Sequence, residues 1–318
     1  TPLYSSAASD VYKRQIIHMT IFSSQSVALM PQTSEVADLV KYFAITDSTQ
    51  NIAREMIQKG EIIARDDGKP TIVAIVAYEQ TAGRGRLGRA WVSRPGESFL
   101  VSFVTLLPKS IVMDASHNGW LPIIAGLAAR DALLETFKEC GSSPIHGDAC
   151  AIKLKWPNDV FLHDCKEGGI LTEIVADPSK DNVVGVIFGI GLNLCVPQEV
   201  LPIKMATSLQ MHMTDLPESK ELRDTIAAKI VTGLRTRLCD FMRDYPSNAA
   251  DLLKEVNGVC WTLGREVNVH PIDGSVVTGT AVRLGEDASL TIREASGEEI
   301  VVKSGDVHAV AYEARRHA

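Results

Sequence analysis

Little in this sequence points toward a membrane or a polyanion. No apolar run approaches the ~20 residues needed to cross a bilayer; the longest, such as Thr71–Tyr78, have the length of buried strands. The six cysteines (Cys140, Cys150, Cys165, Cys195, Cys239 and Cys260) include no CxxC pair, and none has the His/Cys spacing of a zinc site. They read as reduced thiols of a cytoplasmic protein rather than as a disulfide framework. The net charge of −7 argues against a broad phosphate-tracking surface, and aromatic residues, the usual stacking platforms for bases, make up only 6%. Neither nucleic acid nor membrane is therefore an expected partner. What is present is ordinary for a globular chain: 318 residues, 45% hydrophobic and 22% charged, enough for one large core with a small satellite domain.

Residues 1–18 differ from the rest. They are Ser/Ala-rich at first, lack periodicity, and have no apolar segment after Lys13 and Arg14 that would make a signal peptide. They are read as a disordered or non-native leader ahead of Met19. Residues 19–40 carry no clear pattern. Lys41–Ile45 reads as a short strand. Asp47 or Ser48 caps a helix with Ile52, Met56 and Ile57 on one face and Gly60 as its stop. Thr71–Glu79 and Ser98–Leu107 are apolar strands separated by a Gly/Arg loop. Gly119–Phe137 has helical spacing of Ile123, Leu127, Leu134 and Phe137. Strands are then expected at Ile152–Trp156, Val160–His163, Ile170–Ala176 and Val183–Leu192. Glu221–Tyr245 has the apolar stripe of another helix, and a short helix follows near Leu252. From Trp261 to Tyr312 short alternating strands with turns at Asp273-Gly274, Gly285 and Gly297 suggest a small β-barrel. The expected class is α+β: a catalytic domain over 19–258 and a C-terminal barrel over 259–318.

Four segments carry chemistry. The first is Asp47-Ser48-Thr49-Gln50-Asn51 at a helix start. The second runs Gln80-Thr81-Ala82-Gly83-Arg84-Gly85-Arg86-Leu87-Gly88-Arg89, with Trp91 just beyond. The third is Lys155-Trp156-Pro157-Asn158-Asp159, followed by Lys166 and Gly168-Gly169-Ile170-Leu171-Thr172-Glu173. The fourth is Gly189-Ile190-Gly191-Leu192-Asn193. Glycines let consecutive backbone N–H groups converge on one anion, and interleaved arginines can fork onto carboxylate or phosphate oxygens. Such a loop suits an acid being joined to a phosphate, and its like charges should leave it mobile when empty. Taken alone it reads equally well as a solvated basic turn or an RNA-contacting segment. Lys166 alone is a surface lysine in a turn, Ser48 a helix cap, Asn193 a turn former, and Trp91 or Trp156 a core residue.

Occurring together in this order, the segments resemble the biotin protein ligase family, over roughly residues 41–312. The resemblance implies a mixed sheet with flanking helices, shared with class II aminoacyl-tRNA synthetases and lipoate ligases, and a C-terminal barrel. It places Ser48, Thr49, Gln50 and Gln80 at the biotin ureido head, with Gln50 standing where Asn is frequent. Gly83, Arg84, Gly85 and Arg86 match the loop that closes over biotin and its adenylate. Lys166 matches the lysine beside the carboxylate and phosphate, with Gly169 among the ligand-binding positions. Arg89, Trp91 and Asn193 match nucleotide-side positions. Lys166, Arg86 and Arg84 are the expected catalytic cations. ATP and Mg²⁺ are the implied cofactors, biotin the substrate, and a biotin carboxyl carrier domain the protein partner; a homodimer is left open. The alternative of the same fold is a lipoate or octanoate ligase, expected to carry an Arg-x-x-Gly-Gly-Gly segment in place of Gly83–Arg89. A biotin-sensing repressor would need an N-terminal helix-turn-helix of about 60 residues, more than residues 19–40 supply.

Overall fold

The structure, a computed structural model, describes residues 26–145, 151–271 and 274–310. The leader assigned to residues 1–18 lies outside these, as does Asp273 of the expected Asp273-Gly274 turn. Seven strands form the main sheet: β1 (Leu39–Thr46), β2 (Val73–Gln80), β3 (Ser98–Pro108), β4 (Ile152–Lys155), β5 (Asp159–Leu162), β6 (Cys165–Ala176) and β7 (Val183–Asn193). Their order is β1-β2-β3-β7-β6-β5-β4. β1 and β2 are parallel, joined by the crossover that contains the Thr49–Gln58 helix, and all other neighbours are antiparallel.

Both faces of the sheet are covered, so β2 reads as a continuous apolar run rather than an alternating one. Alternate side chains nevertheless go to different layers. Ile72, Ala74 and Val76 join the main core with the Trp120–Cys140 and Ser219–Arg243 helices. Val73 and Ile75 join a second cluster with Ala53, Met56 and Ile57 of the Thr49–Gln58 helix. That helix sits close because β7 carries Gly185: a Cβ there would lie 2.7 Å from Ile57 Cγ1.

Two expected elements are corrected. β6 begins at Cys165, not Ile170, so Lys166 and the Gly168-Gly169 pair lie in a strand rather than a turn. The turn is the tight β5–β6 link at His163-Asp164, both at positive φ (47° and 65°), the geometry that suits a two-residue hairpin. Asp164 tolerates it because its carboxylate is held from outside, accepting from Trp261 Nε1 at 2.5 Å and Arg265 at 2.9 Å. The helix expected near Leu252 is longer than a short linker, running over Tyr245–Val259 with Pro246 in its first turn.

The C-terminal region is not a closed barrel. β8 (Glu266–His270), β9 (Val277–Leu284), β10 (Leu290–Arg293), β11 (Glu299–Val302) and β12 (Asp306–Ala309) form an open antiparallel sheet, ordered β11-β10-β9-β8-β12. Its buried residues Val267, Val269, Ala281, Leu290 and Ile292 belong to the same apolar cluster as the main sheet, so closure is not needed to bury them. Trp120 Nε1 donates to Glu286 O at 2.7 Å and Trp156 Nε1 to Ala288 O at 2.8 Å, fixing this sheet against the first. β12 is thereby brought to the mouth of the cavity described next.

Candidate active site

One cavity gathers eleven of the thirteen residues singled out from the sequence: Ser48, Thr49, Gln50, Gln80, Arg84, Gly85, Arg86, Arg89, Trp91, Lys166 and Gly169. Its volume of about 140 Å³ is some ten times what one water needs. Gly83 and Asn193 do not line it. Gly83 instead closes the base of the Gly/Arg loop, its carbonyl accepting from Trp91 N at 2.9 Å. Asn193, the last residue of β7, is buried, and its Nδ2 donates to Thr207 O at 2.8 Å.

The inner end is polar and buried. Ser48 caps the Thr49–Gln58 helix, its hydroxyl accepting from Gln50 N at 3.3 Å. Gln80, the last residue of β2, accepts from Thr49 N (2.7 Å) and Thr49 Oγ1 (3.1 Å). Gln50 Nε2 donates to Leu171 O at 3.3 Å. Ser102, not anticipated from the sequence, completes the group. Its hydroxyl lies 2.7 Å from Thr49 Oγ1 and 2.8 Å from Gln50 Oε1. Ser102 has one proton to give, so only one of these acceptors is satisfied at a time, and acceptor capacity is left for a ligand's N–H. Leu100 and Leu171 also line the cavity, as do Val101, Ile170 and Ile190, whose side chains belong to the main core.

The Gly-x-Gly of β7 has a steric reason. A Cβ at position 189 would lie 2.7 Å from Gln50 Oε1, and one at 191 would lie 2.7 Å from Trp91 Cε2. The two glycines therefore let Gln50 and the Trp91 indole rest on the strand.

The outer end is cationic. Lys166 Nζ donates to Asp159 Oδ1 at 2.7 Å, and Lys155 Nζ lies 3.3 Å from Oδ2. Burial alone would raise the Asp159 carboxyl, but the two ammonium groups outweigh it and hold the pKa down to about 2. Burial pushes the Lys155 ammonium down, against the pull of Asp159. Arg86 Nη1 donates to Asn158 Oδ1 at 2.6 Å and Nη2 to Gly305 O at 3.4 Å; burial lowers its guanidinium from the ordinary value, with Asp159 opposing. Arg89 is ion-paired with Asp306 of β12. Arg84 turns outward to Asn51 Oδ1 (3.2 Å) and Glu173 (3.7 Å). Arg86, Arg89, Lys155 and Lys166 thus stand against two lining carboxylates, Asp159 and Asp306, while Arg84 pairs with Glu173, which does not line the cavity. In a chain of net charge −7 this is a local reversal of sign that favours an anion.

The Gly/Arg loop is folded, with Gly85 N donating to Arg89 O at 2.7 Å and Leu87 and Gly88 at positive φ. Lys155, Asn158 and Asp159 were visible in the third motif without a role. Asp306, Val307 and His308 line the cavity far along the chain from Gly191, the last lining residue before them, with no motif to mark them.

The biotin/lipoate A/B protein ligase family model matches residues 42–193. The biotin--[acetyl-CoA-carboxylase] ligase of Mycobacterium tuberculosis is 32% identical over 236 residues, covering 74% of this chain and 78% of that protein. The chain belongs to the biotin protein ligase family. Another relative within this family comparison, the bifunctional ligase/repressor BirA of Escherichia coli, is 27% identical over 201 residues, 63% of this chain and 53% of that protein. Among solved structures, the biotin protein ligase from Aquifex aeolicus in complex with biotin and ATP superposes with a TM-score of 0.61 at 26% identity, covering 86% of this chain and 99% of that one. The mixed sheet with its flanking helices is the fold of that family.

Proposed function

We propose that the chain activates biotin with ATP as biotinyl-5′-AMP and transfers the biotinyl group to one lysine of a carrier domain. The observation that carries this reading is what lines the cavity: buried polar side chains with spare acceptor capacity, apolar residues, and a group of lysines and arginines. An amphipathic acid with an amide-like head, a hydrocarbon body and a carboxylate offers a group for each of these. In the first step a carboxylate oxygen attacks the α-phosphorus, the bond to the bridging oxygen breaks, and pyrophosphate leaves. In the second the lysine amine attacks the acyl carbon, loses a proton, and AMP leaves with the electrons of the C–O bond. No protein nucleophile is required. Lys166, Arg86 and Arg84 are assigned to orient the carboxylate and phosphate and to stabilise charge that develops between them. Ser48, Thr49, Gln50 and Gln80 are assigned to the head group. Gly83, Gly85 and Gly169 are assigned to close backbone approach, and Arg89, Trp91 and Asn193 to the nucleotide.

Mg²⁺ is proposed to arrive with ATP, held by phosphate oxygens and water. Among the described residues no cluster of three metal-ligating side chains exists, and the two lining carboxylates are already paired with cations. The carrier partner is a biotin carboxyl carrier domain. A cytoplasmic location is consistent with the described cysteines being free thiols, and among the described residues no helix is long and apolar enough to cross a membrane. Residues 19–258 are assigned to the catalytic unit and 259–318 to the C-terminal one. The test is incubation with biotin, ATP, Mg²⁺ and an apo carrier domain. One lysine becomes biotinylated; release of pyrophosphate with lipoate and none with biotin refutes the proposal.

A further inference from the structure

A second cavity, of about 350 Å³, is lined by Tyr42, Tyr78, Gly96, Glu97, Cys195, Ser219 and Arg223 among others, none of which lines the catalytic one. It lies where the 25-residue Ser219–Arg243 helix begins. The N-cap position, Glu218, makes no side-chain capping bond to the leading N–H groups of the helix, which carry its positive dipole end.

Arg223, one turn into this helix, is 1% exposed. Its Nη2 donates to Gly96 O and Ser98 O, both at 3.2 Å, and the guanidinium lies 5.8 Å from the Tyr78 ring centroid. Its Nε is buried with no hydrogen-bond partner. No carboxylate pairs with it among the described residues; the groups acting on it electrostatically are Tyr42, Cys195 and Tyr78, and burial pushes its pKa down. Burying a guanidinium without a carboxylate beside it is unfavourable, and an anion would supply the missing counter-charge. Glu97 is the acidic group facing the cavity from the sheet side. It sits 3.9 Å from Arg94, yet its Oε2 is buried and makes no hydrogen bond. Glu218 and Lys220 at the rim are exposed and of opposite sign, and Glu221 of the first turn does not line the cavity.

We propose that this cavity binds a small oxyanion of the phosphate class, held by the open start of the Ser219–Arg243 helix and by Arg223 Nε, with a P–OH or ligand hydroxyl donating to Glu97. Helix N-termini and arginines are the two devices proteins use most for phosphate. The remaining volume leaves room for an organic body against Tyr42 and Tyr78.

Cys195 gives a local readout, since its Sγ lies 2.9 Å from Ser219 Oγ, inside the cavity. Alkylation of Cys195 in the full chain is followed by peptide mass spectrometry in sodium phosphate and in sodium chloride of equal ionic strength. Phosphate should slow it about elevenfold at ten times the half-saturating concentration, by mass action. Ser219→Glu places a carboxylate one helical turn from Arg223, in the favourable order for an i,i+4 pair. It should fill the site from within, so that Cys195 labelling no longer responds to phosphate. Equal labelling in phosphate and chloride overturns the proposal, as does unchanged phosphate protection in a folded Ser219→Glu variant. If that variant does not fold, the comparison of the two salts on the unsubstituted chain decides alone.

Discussion

Asp159→Asn tests the electrostatics of the site directly. In the folded chain Asp159 stands between Lys166 at 2.7 Å and Lys155 at 3.3 Å, and its pKa is held at about 2 against an ordinary 3.8. A shift of that size is worth about 2 kcal/mol of folding stability at neutral pH. Substitution does more than remove the charge: one amide nitrogen must point at an ammonium, leaving Lys155 buried and unpaired, and breaking a buried pair costs roughly 3–5 kcal/mol. The expected loss is therefore about 2–5 kcal/mol, read as a lower urea midpoint at unchanged slope. The sign with pH follows from the depressed pKa. The stabilisation is present above the unfolded value near 3.8 and is lost as pH falls toward 2. The gap between the unsubstituted chain and the variant should stay constant from pH 7 to pH 5 and shrink below 4; the part that comes from the pKa shift is roughly half gone near pH 3. A gap that stays flat to pH 3, or no gap at pH 7, would show that the two lysines do not hold this carboxylate.

Arg86→Gly removes the donors to Asn158 and Gly305 and, on the proposed role, a charge-assisted contact to the adenylate worth about 1.5–3 kcal/mol, so the adenylate should be held one to two decades more weakly. Biotin label appearing on an unrelated albumin is the expected result; label confined to the carrier counts against this role. Gly191→Ala puts a methyl 2.7 Å from the Trp91 indole, so Trp91 must leave β7. The KM for ATP should rise at least several-fold with little change in melting temperature, and an unchanged KM would place Trp91 outside the nucleotide site. Glu167 is fully buried, and burial raises its carboxyl well above the ordinary range, with the Asn193 N–H opposing. A raised folded pKa costs stability as pH climbs from about 4.5, so Glu167→Gln should melt higher than the unsubstituted chain at pH 8, with the difference closing toward pH 4.5.

What was legible in the sequence followed the range of the physics involved. Strands β2, β3 and β7 were readable because burial on both faces leaves a continuous Val/Ile run, a signal held within eight to eleven residues. The start of β6 was not, because Cys165-Lys166-Glu167-Gly168-Gly169 has turn composition; pairing with β5 and β7 on either side overrides it. Ser102 had a signal, a small polar residue inside the apolar run of β3, but its meaning depends on Thr49 and Gln50 some fifty residues earlier. The open C-terminal sheet was read as a barrel because alternation reports only that one face is buried, not what covers it. Here the cover is the main core, which no local pattern encodes.

The same limit explains why the cavity's outer wall was missed, and it bears on how the site works. The Gly/Arg loop meets β12 through Arg86 to Gly305 and Arg89 to Asp306, residues more than 200 positions apart. On the proposed function Arg89 and Arg86 are cations that a phosphate would claim; here Arg89 is paired with the Asp306 carboxylate and Arg86 with the Gly305 carbonyl. Asp306 therefore offsets charge that would otherwise repel Lys166 and Lys155, and it must give way, at least in part, when an anion enters. Arg89 is more than half exposed, so solvent screens its pair with Asp306 and the exchange is inexpensive. Arg86 is more deeply buried and is tied to a neutral carbonyl and amide, contacts that a phosphate oxygen exceeds in strength. On the proposed function, a loop anchored this way would present its arginines and could hand them to the ligand, as a segment closing over a hydrolysable mixed anhydride would need to.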